Sequence, residues 1–176
     1  MKGLDENERR ALNAAEGWLI LKCPAEAERE LQAIRTEHLG DPEVLYVRWA
    51  VNFRWKRWEE ACTVSRLWCQ TTPELLEAWI ALANSTRESM GLEQAKQVLV
   101  EISQRFSRHW VVPYNLACYC AQLGEIAEAV LWLNKALSMD PCQKVRREAA
   151  GDPDLAPLWK ALAKAALEEE ICSTAD

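Results

Sequence analysis

A chain of 176 residues with 49% apolar side chains can fill a continuous core, so general disorder is excluded. Its formal charge of −6 and isoelectric point near 5.1 argue against nucleic-acid binding by phosphate neutralisation, which needs a net basic face. Seven cysteines, odd in number and irregular in spacing, fit a reducing compartment better than a disulfide framework.

The opening stretch, MKGLDENERRALNAAEG, is acidic and carries no apolar run of signal-peptide length, and Trp18 to Leu21 is too short to span a bilayer. A soluble cytoplasmic protein with no membrane partner is expected. Asp5 followed by Glu8 marks a helix start, and Cys23-Pro24 puts proline in the first turn of a second helix. Gly40 offers a left-handed C-terminal cap. Trp18, Leu31 and Ile34 form the predicted core of this first helix pair, residues 5–40.

The next pair, 41–72, opens at Asp41-Pro42. It places Tyr46, Trp49, Ala50 and Phe53 on one face of its first helix, and Trp58, Ala61 and Trp68 on its second. A third pair, 73–106, carries Trp79, Leu82 and Ala83, a turn at Met90-Gly91, then Ala95, Leu99 and Ile102. The fourth, 107–141, has Pro113 just inside its first helix, a turn at Gly124-Glu125, and Ala129, Leu133, Ala136 and Leu137 at helical spacing up to Asp140-Pro141. Terminal helices follow over 142–170. The last, from about Asp154 to Glu169, carries Leu155, Leu158, Trp159, Leu162 and Leu167 and is expected to cover the open apolar face of the stack. The tail 171–176 is expected to fray.

Ala27, Ala61, Ala95 and Ala129 recur every 34 residues, and small residues stand in each partner helix at Ala15, Ala50, Ala83 and Ala117. The second of these lies one residue nearer its mate, which predicts a shortened turn around Lys56-Arg57. The order of small residue, turn glycine, alanine, large apolar residue, alanine and proline, clearest in NLACYCAQLGEIAEAVLWLNKALSMDP, resembles the tetratricopeptide repeat, or TPR. NLACY with the later DPDLAPLW also resembles the terminal unit of bacterial TPR proteins of unassigned function. The resemblance implies one all-α domain over 1–170, a right-handed TPR superhelix (α-solenoid) of about four helix pairs with a C-terminal capping helix.

Chemistry of other kinds finds little support. His38 and His109 lie near helix ends in no recognisable motif, so no catalytic residue and no enzyme is predicted. No cysteine pair has CxxC spacing, and Cys118 and Cys120 on one helix point about 200° apart, so no metal is expected. Six scattered glycines form no phosphate loop, and no cofactor is predicted. Nine tryptophans against two phenylalanines suit the gaps between stacked helices. In YVRWAVNFRWKRWEEACTVSRLW, core packing of Trp49, Trp58 and Trp68 is favoured over base stacking, with Trp55 on the exposed edge.

By the same resemblance, the first helices line a concave groove that takes a protein or peptide ligand. The projecting residues would be Leu12, Asn13, Glu16 and Leu19; Val47, Arg48, Val51, Arg54 and Trp55; Ile80, Asn84, Arg87 and Glu88; then Tyr114, Asn115, Cys118 and Gln122. The site predicted from them is Arg48, Arg54, Trp55, Asn84, Arg87, Tyr114 and Asn115, with arginines for carboxylates and asparagines for a peptide backbone. The alternative is that the arginines pair with Glu16, Glu77 and Glu88. Co-chaperones that grip an acidic tail use lysine, asparagine and arginine at positions held here by Leu12, Glu16, Arg48, Glu77 and Ala81, or by Val47, Val51, Ala81, Val111 and Asn115. Neither set fits. The expected function is a non-catalytic protein-binding scaffold of unknown partner; a self-associating assembly module and a TPR-type secretion chaperone are the alternatives.

Overall fold

The structure, a computed structural model, describes the backbone of residues 3–139 and 143–173 and the side chains of 3–139 and 143–166. These residues form ten α-helices and two 3-10 turns, with no strand among them. Their contacts group into two units, Met1–Gly91 and Leu92–Asp176, where the sequence suggests one domain over 1–170.

The first unit opens with α1, Glu6–Ile20, started by a capping box: the Asp5 side chain accepts from the Asn7 and Glu8 backbone N–H groups, and the Glu8 carboxylate accepts from the Asp5 N–H. Helix α2, Pro24–Leu31, has its proline at the first turn, where a missing N–H costs nothing. A 3-10 turn at Thr36–His38 leads to α3, Pro42–Arg54, capped by Asp41, and then to α4, Trp58–Thr71, and α5, Leu76–Met90. Ala11, Leu12, Ala15, Ala27, Val44, Val47 and Val51 form the buried seam joining α1 to α2 and α3.

The second unit contains α6, Leu92–Ile102; α7, Val111–Leu123; α8, Ile126–Ser138; α9, Lys144–Gly151; a 3-10 turn at Pro153–Leu155; and α10, Ala156–Ser173. Gly124 ends α7 in the left-handed conformation at φ 81°, and Gly91 ends α5 at φ 102°. Gly40 does not take a positive φ, contrary to the expectation for it, because the chain there passes from the 3-10 turn into α3 without a reversal that needs one. Leu155 and Leu158 are fully buried, the 3-10 turn and α10 lying on α7 and α8, and the Trp159 indole N–H bonds the Ala149 carbonyl at 3.0 Å. The backbone stays helical through Ser173. Asp140-Pro141, read as the end of the fourth pair, the side chain of Leu167, and the tail beyond 173 lie outside the described residues.

The register of the second helix pair differs from the expectation. Ala15, Ala83 and Ala117 are buried almost completely, but Ala50 is only partly so; the residue 34 after Ala15 and 34 before Ala83 is Trp49. The turn is not shortened. Residues 55–57 between α3 and α4 match 21–23 between α1 and α2 in length, and Lys22 and Lys56, again 34 apart, share a left-handed backbone at φ 60° and 57°. The second pair therefore keeps the period and places a tryptophan at the small position.

Candidate functional site

That tryptophan helps build an open cleft of about 640 Å³ in the first unit, walled by Glu16, Leu19 and Ile20 of α1, by Tyr46, Trp49, Ala50, Phe53 and Arg54 of α3, and by Lys56 and Trp58. Helices α1 and α3 run parallel here: Arg9 and Glu43 at their starts pair at 2.7 Å, while Ile20 and Arg54 at their ends line one cleft. The floor is aromatic. Trp49 lies 5.3 Å from Phe53 between ring centroids, Phe53 meets Trp58 edge-on at 5.0 Å, and Tyr46 stands 6.3 Å from Trp49 and 5.7 Å from Trp68. The Trp49 indole N–H donates to the Ser85 hydroxyl at 2.9 Å, fixing the ring from α5.

The rim is charged. Arg54, in the last turn of α3 where a cation complements the helix dipole, and Lys56 beside it make no ion pair among the described residues; nor does Glu16 on the opposite wall. Tyr46 is 42% exposed and its hydroxyl makes no hydrogen bond among the described residues, while Ile20 is 81% exposed at the mouth.

The register explains where the predicted site residues fall. Arg54 lines the cleft, but Arg48 turns away and its Nη1 donates to the Leu39 carbonyl at 3.0 Å, where burial lowers its pKa. Val47 and Val51 are core residues. Trp55 is half-exposed on the turn under the Arg57 guanidinium, 5.4 Å from its ring centroid. Arg87 pairs with its neighbour Glu88 at 3.1 Å, and Asn84 is half-buried on α5. Asn115 bonds the Val111 carbonyl of its own helix at 2.8 Å. The sequence pattern favours core packing for Trp49 and Trp58 and puts Tyr46 and Phe53 on the same face as Trp49; all four line the cleft, Tyr46, Trp49 and Phe53 from α3 and Trp58 from the start of α4.

Tyr114 holds the position two repeats after Tyr46, and there the chain covers itself. Helix α9 is only eight residues long, so the chain turns back at Asp152-Pro153 and lays that turn on α7. The Tyr114 hydroxyl donates to the Asp152 carboxylate at 2.5 Å, the Cys118 thiol lies 3.8 Å from the same oxygen, and Leu155 is buried beyond them. Burial first, then the hydrogen bond to Asp152, pushes the Tyr114 pKa far above its usual value.

Two further polar clusters bind the chain to itself. Glu8, 2% exposed, takes Arg35 Nη2 at 2.9 Å, the Arg35 backbone N–H at 3.0 Å and His38 Nδ1 at 2.9 Å, which fastens the segment after α2 onto α1. Cys120, Glu125 and Glu128 bring a thiol and two carboxylates together, but the cation among them is Lys96, 2.6 and 2.8 Å from the carboxylates. Burial alone would lower the Lys96 pKa; the two carboxylates outweigh it and raise it. Burial pushes the Cys120 thiol up to about 12.

Solved structures of MamA share this arrangement of helices over nearly the whole chain. The fold is that of a TPR protein. MamA from Desulfovibrio magneticus RS-1, from residue 41 to its end, superposes with a TM-score of 0.66 at 17% identity, covering 96% of this chain and 98% of that one. A double mutant of MamA RS-1 gives 0.66 at 18% identity, covering 99% and 100%. MamA of AMB-1 gives 0.63 at 14%, covering 97% and 99%. No protein-family model and no curated sequence matches the chain. Among the described residues no helix is long and apolar enough to cross a membrane.

Proposed function

We propose that this TPR chain is a non-catalytic, cytoplasmic protein-binding scaffold that holds its partner in the α1–α3 cleft. The carrying observation is the aromatic floor of that cleft, since the partly buried Trp49, Phe53 and Trp58 and the exposed Tyr46 offer large, rigid contact area at low entropic cost. An open cleft of that composition is where apolar side chains of a partner gain most from leaving water. The partner is a protein segment rather than nucleic acid, because the chain is acidic as a whole.

Peptides selected from a random library on the wild-type full chain alone, and only afterwards measured on Phe53→Arg, test this reading. Selected peptides should bind the wild-type chain and lose at least tenfold on Phe53→Arg, with unchanged circular dichroism. Peptides that bind both proteins equally would place recognition elsewhere. Association with a second copy is the other reading, favoured by the exposure of Ile20, which lines the cleft, and of its neighbour Leu21. Light scattering at micromolar concentration separates the two: a monomer supports the scaffold, and a dimer abolished by Ile20→Glu supports self-association.

A further inference from the structure

The fourth repeat carries its own occupant, and that occupant shows what the second repeat lacks. Positions 46, 50 and 54 on α3 correspond, two periods of 34 residues on, to 114, 118 and 122 on α7. On α7 the Tyr114 hydroxyl is taken by the Asp152 carboxylate, and Leu155, three residues further on, is fully buried. On α3 the equivalent Tyr46, whose hydroxyl has no hydrogen bond among the described residues, lines an open cleft.

The differences between the two copies favour an anion more strongly on α3. Gln122, whose amide donates to its own helix at Cys118, is replaced by Arg54, a cation with no ion pair among the described residues. Cys118 is replaced by Ala50, which leaves more room, and Lys56 adds a second cation at the rim. A guanidinium and a phenol hydroxyl on one helix face are complementary to a carboxylate.

From this internal correspondence we propose that the α1–α3 cleft receives a partner protein segment in which a carboxylate side chain meets the Tyr46 hydroxyl and Arg54, and an apolar side chain three residues further on enters between the aromatic rings. The inference rests on the cleft being the interaction site, and it names the chemistry of the ligand. The segment Asp152-Pro153-Asp154-Leu155 is the chain's own version of it, with proline presetting the turn so that little conformational freedom remains to be lost on binding.

The probe is a synthetic peptide with the sequence of Gly151–Leu158, titrated into the full-length chain at low salt and followed by calorimetry. Saturable binding is expected. Tyr46→Phe and Arg54→Gln should each weaken it about tenfold, the scale of one hydrogen bond to a charged group. A peptide carrying Asp152→Asn should bind wild-type protein about tenfold more weakly and lose little more on Tyr46→Phe, since the two changes remove the same bond. Equal affinity for the Asp and Asn peptides overturns the proposal, as does the absence of saturable binding. If the library-selected peptides still depend on Phe53 in either case, the cleft stands and only its ligand chemistry is wrong; if nothing that binds responds to Phe53→Arg, the cleft itself is excluded and this proposal with it.

Discussion

Glu8 and Arg35, 27 residues apart in the chain, are joined by three hydrogen bonds: the Glu8 carboxylate accepts from the Arg35 backbone N–H, from Nε at 3.1 Å and from Nη2 at 2.9 Å. Glu8 belongs at the same time to the capping box of α1, so one buried carboxylate both starts that helix and anchors the segment leaving α2. The Arg35 hydrogen bond holds its carboxyl well below the usual carboxylate range against the opposing effect of burial, with help from the Asp5 and Arg35 backbone and from His38.

A pH dependence follows, with a definite sign. Because the folded pKa lies below the unfolded value, the unfolded chain binds the extra proton on acidification, and this contribution to stability is complete above about pH 5 and fades as pH falls through about 4 and below. Urea midpoints measured from pH 7 down to pH 3 should fall more steeply for wild type than for Glu8→Gln. The gap between the two curves should be widest near neutrality and close toward acid; parallel curves would contradict the account.

The core of the second unit is testable at Leu158. Its side chain is fully buried although its neighbours Trp159 and Leu162 are partly exposed. Leu158→Ala should cost about 2–5 kcal/mol in denaturant titration, the range for large-to-small changes that leave a cavity. Leu131→Ala, at a residue 70% exposed, should change stability by less than about 0.5 kcal/mol.

The two left-handed glycines should differ. Gly124, at φ 81° and ψ 8°, has open space around an added Cβ, so Gly124→Ala should cost only the backbone term of roughly 1–2 kcal/mol. Gly91, at φ 102° and ψ 174°, lies in a region that is essentially restricted to glycine, and Gly91→Ala should cost more. Thermal unfolding of the two variants ranks them.

Thiol reactivity offers a third readout. Burial pushes the Cys69 and Cys120 thiols up to about 12, so neither supplies thiolate at pH 8 in the native state. Mass-spectrometric mapping after brief alkylation should find Cys23, which is partly exposed, modified well before either of them. Early labelling of Cys120 would contradict the packing described for α7.

Much of the fold can be read from the sequence because the buried alanines at 27, 61, 95 and 129 are the points where paired helices touch, and a contact that close tolerates only small residues. The second pair misleads for the same reason. Ala50 is small and stands beside Trp49, so it attracts the small-residue assignment, although the 34-residue ruler falls on the tryptophan. That one-residue slip turns α3 by about 100°. It sends Arg48 and Trp55 to the groove on paper, and gives Trp49 to the core when, with Tyr46 and Phe53, it lines the cleft. The Tyr114–Asp152 bond is illegible for a different reason: it depends on α9 stopping after two turns, and the sequence across 140–152 carries no repeat signal that fixes where the chain reverses. The capping box at Asp5 and Glu8 is local and therefore legible, but its closure by Arg35 and His38 is tertiary.

The central claim, that the α1–α3 cleft is the interaction site, is tested most directly by the indole N–H signals of the tryptophans in a nitrogen-15 spectrum of the full chain during titration with a library-selected peptide. Trp49 and Trp58, which line the cleft, should shift and saturate together, while Trp79, which is not among the lining residues and whose N–H is held by the Pro73 carbonyl, should move little. Saturating shifts confined to Trp132 and Trp159 of the second unit, with Trp49 and Trp58 unmoved, would contradict it.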